Sequence, residues 1–104
     1  MMQVFGLLES DLVLLHKAFS TFKEVDKALI FGSRAMGNYK KGSDVDIAIM
    51  GEGVTKKTLY SLHDLLNEEL PLPYFFDILI YEEISNSKLR EHIDNVGQVI
   101  YQRK

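Results

Sequence analysis

Hydrophobic residues recur along the chain in two rhythms, one helical and one extended. Three segments place apolar residues at three- and four-residue steps, which is the spacing of one helical face. Candidate caps at Ser10, Thr55 and Ser85 precede these segments, and Pro71 and Pro73 follow the second one. The apolar positions of the three predicted helices are Leu12, Leu15, Phe19 and Phe22, then Leu59, Leu62, Leu66 and Leu70, and finally Leu89, Ile93, Val96 and Ile100.

Three shorter runs have the length and alternation of β-strands. Residues 27–31 form a short apolar run that ends at Gly32, and residues 44–50 and 75–81 alternate between two faces. The order is helix, strand, strand, helix, strand, helix. We therefore predict an α/β (α+β) fold, a small mixed β-sheet with helices packed on its apolar face only. The acidic face of the sheet should then lack a helical cover.

Composition narrows the class of protein without choosing a function. The 104 residues, 46% hydrophobic and 26% charged, suit a single domain over residues 1–104. The formal charge of −3 argues against binding to nucleic acid, and the absence of cysteine excludes disulfides and cysteine-ligated zinc. Neither a membrane-spanning run nor a secretory signal is present, so we expect a cytoplasmic protein without a membrane partner.

The most informative chemical feature is the pair Asp44 and Asp46 on a predicted strand. Residues two apart on a strand share a face, so their carboxylates can converge on one divalent cation or on two. Mg²⁺ prefers one or two carboxylates completed by substrate phosphates and water. Such a pair taken alone is more often part of a solvated turn or sheet face. Because aspartate is depleted from strands, two on one face favour a Mg²⁺ site that holds one or two ions when the neighbouring features agree.

Two further features adjoin this pair. Asp77 interrupts a later apolar strand, and we expect it to be partly desolvated and close to the pair if the two strands are neighbours. Gly32 and Ser33 follow the first strand, where backbone N–H groups and a hydroxyl can hold a phosphate. The three histidines fall on three different helices without ligand spacing, so no metal role is expected for them.

Together these motifs resemble the nucleotidyltransferase superfamily, which includes DNA polymerase beta and kanamycin nucleotidyltransferase. The short chain looks closest to the minimal nucleotidyltransferases, which are often paired with a helical HEPN protein as toxin–antitoxin systems. A departure is Met36, where many relatives carry arginine. The residues that carry the resemblance are Gly32-Ser33-Arg34-Ala35-x-Gly37, Ser43-Asp44-Val45-Asp46 and the lone Asp77.

The resemblance implies a nucleotidyltransferase fold and a Mg²⁺-dependent enzyme that transfers AMP from ATP to an acceptor hydroxyl. Its acceptor would be a tyrosine of a HEPN-domain toxin, which makes the chain an antitoxin. The implied catalytic and metal-binding residues are Asp44, Asp46 and Asp77, and the implied nucleotide-binding residues are Gly32, Ser33, Arg34 and Ser43.

Two other functions remain open from the sequence. The chain could be a binding module that neutralises a HEPN partner by contact, with catalysis weak or absent. It could also add nucleotides to nucleic acid, although that activity needs a basic groove that a net charge of −3 does not indicate. The intact set of three aspartates favours the protein-modifying enzyme.

Overall fold

A four-stranded sheet forms the centre of the chain in the computed structural model, which describes residues 3–103. Its strand order is β5-β4-β3-β6, with β3 antiparallel to both β4 and β6 and with β4 parallel to β5. The mixed sheet predicted from the sequence is thereby confirmed. Its strands are β3 (Lys27–Phe31), β4 (Val45–Met50), β5 (Phe76–Ile80) and β6 (Gln98–Gln102), and a separate hairpin pairs β1 (Gln3–Val4) with β2 (Leu7–Leu8).

Four helices accompany the sheet: α1 (Glu9–Thr21), α2 (Gly32–Met36), α3 (Lys56–Asp64) and α4 (Ser87–Val96). A π-helical turn, Leu65–Glu69, extends α3, and a 3₁₀ turn, Tyr81–Glu83, follows β5. Thr55 caps α3 as predicted, because its side chain accepts a hydrogen bond from the Thr58 N–H. None of the helices within residues 3–103 has both the length and the apolar character that a bilayer crossing requires.

The main core lies between one face of the sheet and helices α1 and α3. Val45, Ile47 and Ile49 of β4 are fully buried on this face, as the alternation of the strand predicts. They pack with Phe19 of α1 and Leu62 of α3 in one hydrophobic cluster. This packing fixes which residues of β4 point the other way, namely Asp46, Ala48 and Met50.

The prediction that helices cover only one face of the sheet is wrong. Ile93 of α4 packs with Phe31 and Ala48 on the face opposite the main core, and Leu79 and Leu89 lie against this second cluster. The physical reason is that this face also carries apolar residues, which are Leu29 and Phe31 of β3, Ala48 of β4 and Leu79 of β5. Helix α4 therefore covers part of the face that also carries Asp46.

The ends of two predicted helices also differ from the structure. Helix α1 begins before Ser10, with the Asp11 carboxylate accepting the Leu8 N–H, and α4 is capped by Asn86 rather than Ser85. Ile100 does not continue α4: the helix ends at Val96, and the chain then pairs with β3 as β6. Residues 98–102 contain three consecutive apolar residues, a run too short for periodicity to distinguish a helix from a strand, and pairing with the open edge of β3 makes it a strand.

Candidate active site

The site starts where β3 ends and α2 begins, at Gly32. Its φ of +74° lies in the left-handed region, which favours glycine because other residues carry a β-carbon. A β-carbon at this position would collide with Oδ2 of Asp46. The turn after β3 therefore lies directly against the carboxylate. The backbone conformation favours glycine there, and a β-carbon would displace the Asp46 carboxylate.

Strand pairing brings two of the predicted carboxylates together. Asp46 lies opposite Phe31 in the pairing of β4 with β3, and opposite Asp77 in the parallel pairing of β4 with β5. Neighbouring strands are about 4.8 Å apart, and the two side chains leave the same face of the sheet. Asp44 stands just before β4 and is exposed, as Asp77 is, whereas Asp46 is half-buried.

The charges of this cluster act on Asp46. Burial raises the pKa of the Asp46 carboxyl above its ordinary value, and the negative charges of Asp77 and Asp44 raise that pKa further, while His92 offsets part of the rise. The sequence led us to expect desolvation at Asp77, but that residue is exposed. The desolvated carboxylate is instead Asp46, because it lies on a central strand beside the turn at Gly32.

The donor set suits Mg²⁺ completed by a substrate. Within residues 3–103, no three histidine, aspartate or glutamate side chains converge closely enough to enclose a metal by themselves. Mg²⁺ does not need such an enclosure, because it commonly takes one or two carboxylates and fills its other positions with phosphate oxygens and water. Asp46 and Asp77 on neighbouring strands, with Asp44 beside them, fit that kind of site.

Ser33 follows Gly32 in the first turn of α2. Its carbonyl oxygen accepts the N–H groups of Gly37 and Asn38, which closes the short helix α2. In the part of the chain that the structure describes, its hydroxyl has no hydrogen-bond partner, and the residue is half-exposed. The hydroxyl is therefore available to donate to a phosphate oxygen.

Arg34 does not face the site, contrary to the predicted nucleotide contact. The side chain is only 4% exposed, and its guanidinium donates to the carbonyl of Ser43 at 2.8 and 3.2 Å and to that of Phe5 at 2.9 Å. The rings of Tyr39 and Tyr74 lie 5.1 and 5.2 Å from its guanidinium carbon. Because these partners occupy the fork of donors, Arg34 joins the N-terminal hairpin to the loop before Asp44.

Ser43 likewise shapes that loop. Its hydroxyl oxygen accepts the Lys40 N–H at 2.9 Å, and its carbonyl accepts from Arg34. These contacts fix the backbone immediately before Asp44. A contact between Ser43 and a nucleotide stays a prediction.

His92, for which the sequence predicted no role in the site, reaches it from α4. Its Nε2 accepts the Gly32 N–H at 3.1 Å, and its ring meets the Phe31 ring edge-on with centroids 6.1 Å apart. Sixty positions separate the two partners, and spacing along the chain gives no sign of the contact. The signal would have been the position of His92 on the apolar side of α4, beside Ile93.

A cleft lies beside the residues that immediately precede β4 and β5. Its volume is about 580 Å³, within the range of small-molecule sites. The cleft is lined by Lys41, Gly42, Ser43, Asn67, Glu68, Leu72, Pro73, Tyr74 and Phe75. The residues that line it do not include Asp44, Asp46 or Asp77, so the cleft is not assigned to the carboxylate site.

The family model for polymerase beta nucleotidyltransferases matches residues 14–104. The chain belongs to this family. No curated protein shows significant sequence similarity to this chain. The match confirms the family resemblance found in the motifs around Gly32, Asp44 and Asp77.

Solved structures share the fold at low sequence identity. A toxin–antitoxin structure with AMP-PNP has a TM-score of 0.72 at 17% identity, over 93% of this chain and 76% of the other. A double aspartate-to-glutamate mutant of the toxin–antitoxin MntA-HpeT has a TM-score of 0.68 at 15% identity, over 94% and 75%. A Sulfolobus solfataricus protein provisionally assigned as a nucleotidyltransferase has a TM-score of 0.56 at 19% identity, over 89% and 78%. These likenesses confirm the predicted nucleotidyltransferase fold.

Proposed function

We propose that the chain is a Mg²⁺-dependent enzyme that transfers AMP from ATP to the hydroxyl of an acceptor protein. The observation that carries this proposal is the pairing of Asp46 with Asp77 on parallel neighbouring strands, with Gly32 pressed against Asp46. Carboxylates and a phosphate-binding turn meet at one point of the sheet. That juxtaposition is what a metal–triphosphate substrate requires.

Each residue has a role in this proposal. Asp44, Asp46 and Asp77 would hold Mg²⁺, which when bound neutralises charge on the triphosphate. The Ser33 hydroxyl donates to a phosphate oxygen, and Gly32 allows the phosphates to approach the carboxylates. The acceptor oxygen bonds to the α-phosphorus as the bond to pyrophosphate breaks. Asp77, which is exposed as Asp44 is, would take the acceptor proton.

We further propose that the acceptor is a tyrosine of a HEPN-type toxin and that its modification silences the toxin. Two structures with the same fold belong to toxin–antitoxin systems, and one of them was obtained with AMP-PNP. In MntA-HpeT the two aspartates replaced by glutamate are two positions apart, the spacing of Asp44 and Asp46. The likeness in fold and spacing supports the same type of partner for this chain.

The experiment is an intact-mass measurement on the protein encoded beside this one, after incubation with the chain, ATP and Mg²⁺. We expect the partner to gain the mass of AMP on a tyrosine. Asp46→Asn should abolish the gain, and Asp64→Asn should preserve it, because Asp64 is an exposed carboxylate at the end of α3.

The same mixture distinguishes the enzyme from a binding module. A binding module would inhibit the partner without changing its mass, and the Asp44→Asn, Asp46→Asn double variant would inhibit it as well as the natural chain does. That pair of results would overturn the proposed function.

A further inference from the structure

The backbone of Gly32 is held from two sides. On one side its α-carbon lies against the Asp46 carboxylate, and on the other its N–H donates to Nε2 of His92 at 3.1 Å. The first contact comes from β4 and the second from α4. The turn that follows β3 is therefore fixed between strand β4 and helix α4, which covers part of the same face of the sheet.

His92 is itself well anchored. The next residue, Ile93, is 1% exposed and packs with Phe31 and Ala48, while the imidazole meets the Phe31 ring edge-on. Because Nε2 accepts a hydrogen bond in this arrangement, the ring presents a lone pair to Gly32. A helix backed by the core thus holds one specific amide of the turn.

We propose that His92 is a positioning residue for the triphosphate, acting through the Gly32 amide. This inference rests on the proposed function, since it assumes that the turn at Gly32 and Ser33 receives the phosphates. With its own N–H directed to His92, Gly32 keeps the left-handed backbone of the turn that leads into Ser33. Without that acceptor, the amide is free to rotate toward Asp46, and the turn loses its fixed distance from the metal-binding carboxylates.

A matched pair of variants separates the hydrogen bond from the bulk of the ring. His92→Phe keeps an aromatic ring against Phe31 and removes the acceptor. His92→Gln keeps an acceptor oxygen at a similar reach. We expect His92→Phe to weaken ATP binding in the presence of Mg²⁺ by roughly three- to tenfold, the usual range for one lost hydrogen bond, and His92→Gln to restore most of the affinity.

The Gly32 amide itself gives a readout that needs no substrate. In the free protein, His92→Phe should move the Gly32 amide proton resonance and speed its exchange with solvent, while His92→Gln leaves both near their natural values. In transfer assays with saturating acceptor, the defect should appear mainly as a higher KM for ATP. Thermal melting of both variants checks that neither has lost the fold.

Two results would overturn this inference, and they differ from failure of the proposed function. One is a Gly32 amide that is unchanged in His92→Phe. The other is equal ATP affinity for His92→Phe and the natural chain. A third combination is a natural chain that binds no ATP, together with a Gly32 amide resonance that differs between the natural chain and His92→Phe. The hydrogen bond would then be purely structural, and both the proposed function and the positioning role would be wrong.

Discussion

Gly32 lies so close to Asp46 that a side chain at position 32 would collide with the carboxylate. Asp46 lies on β4, and Gly32 begins α2 directly after β3. The antiparallel pairing of β3 with β4 sets Phe31 opposite Asp46 and so places the turn beside the carboxylate. This contact joins the candidate phosphate-binding turn to the candidate metal ligands. Substitutions at Gly32, which begins α2, and at Gly37, which follows it, therefore distinguish this contact from the general cost of replacing a glycine.

Gly32→Ala should abolish ATP binding and destabilise the fold. Left-handed backbone costs a non-glycine residue about 1–2 kcal/mol, and the added β-carbon would also displace the end of the Asp46 side chain from its position in the site. Gly37 is the matched control, because its φ is +84° but nothing lies within 4 Å of a β-carbon there. Gly37→Ala should destabilise the fold only by the cost of the left-handed backbone and should keep ATP binding. Equal ATP affinity in both variants would contradict the contact.

Asp46→Asn should stabilise the metal-free fold at neutral pH by about 0.5–2 kcal/mol, the usual gain from relieving unfavourable charge. The folded chain raises the pKa of Asp46, so the folded state holds the proton more tightly than the unfolded state does. Stability of the natural chain should therefore fall as the pH rises from the ordinary aspartate pKa through the folded value.

The measurement is chemical denaturation of both chains without divalent ions between pH 4 and pH 7. The stability gain of Asp46→Asn over the natural chain should increase across that interval. A gain that stays constant or shrinks as the pH rises would show that folding does not raise the pKa of Asp46.

Ser33→Ala should weaken ATP binding without changing the melting temperature. One hydrogen bond to a charged phosphate oxygen contributes roughly 1.5–3 kcal/mol, or about tenfold to a hundredfold in affinity. Ser61→Ala, an exposed position on α3, provides the control. Calorimetric titration with ATP and Mg²⁺ decides the matter, and unchanged affinity would make Ser33 a turn residue only.

Arg34→Lys should reduce stability rather than ATP affinity. A lysine retains the charge but cannot donate at once to the carbonyls of Ser43 and Phe5, which the guanidinium fork reaches. Loss of one such bond costs about 1.5–3 kcal/mol in the free energy of unfolding. A variant with natural stability and weakened ATP binding would instead support the nucleotide contact predicted from the sequence.

The sequence predicted the features that depend on local pattern. Alternation in β4 separated the buried Ile47 from Asp46, and the neighbouring strands brought Asp77 to Asp46 as expected. The features it missed depend on tertiary pairing. Residues 98–102 join the edge of β3, which no local rhythm specifies.

The site shows the same division between local and distant information. Motif spacing pointed to Gly32, but only the folded chain reveals that His92, sixty positions away, holds its amide. Arg34 lies within the same motif and still turns away from the site, because the hairpin at the N-terminus supplies a carbonyl acceptor. Residue type and spacing therefore identified the carboxylates better than the groups that position them.

The most direct test of nucleotidyl transfer compares ATP labelled at the α-phosphate with ATP labelled at the γ-phosphate, in the presence of Mg²⁺ and the partner protein. We predict that the partner acquires the α label and not the γ label, and that Asp46→Asn abolishes incorporation while Asp64→Asn preserves it. Incorporation of the γ label, or no incorporation by a chain that still inhibits the partner, would contradict nucleotidyl transfer by this chain.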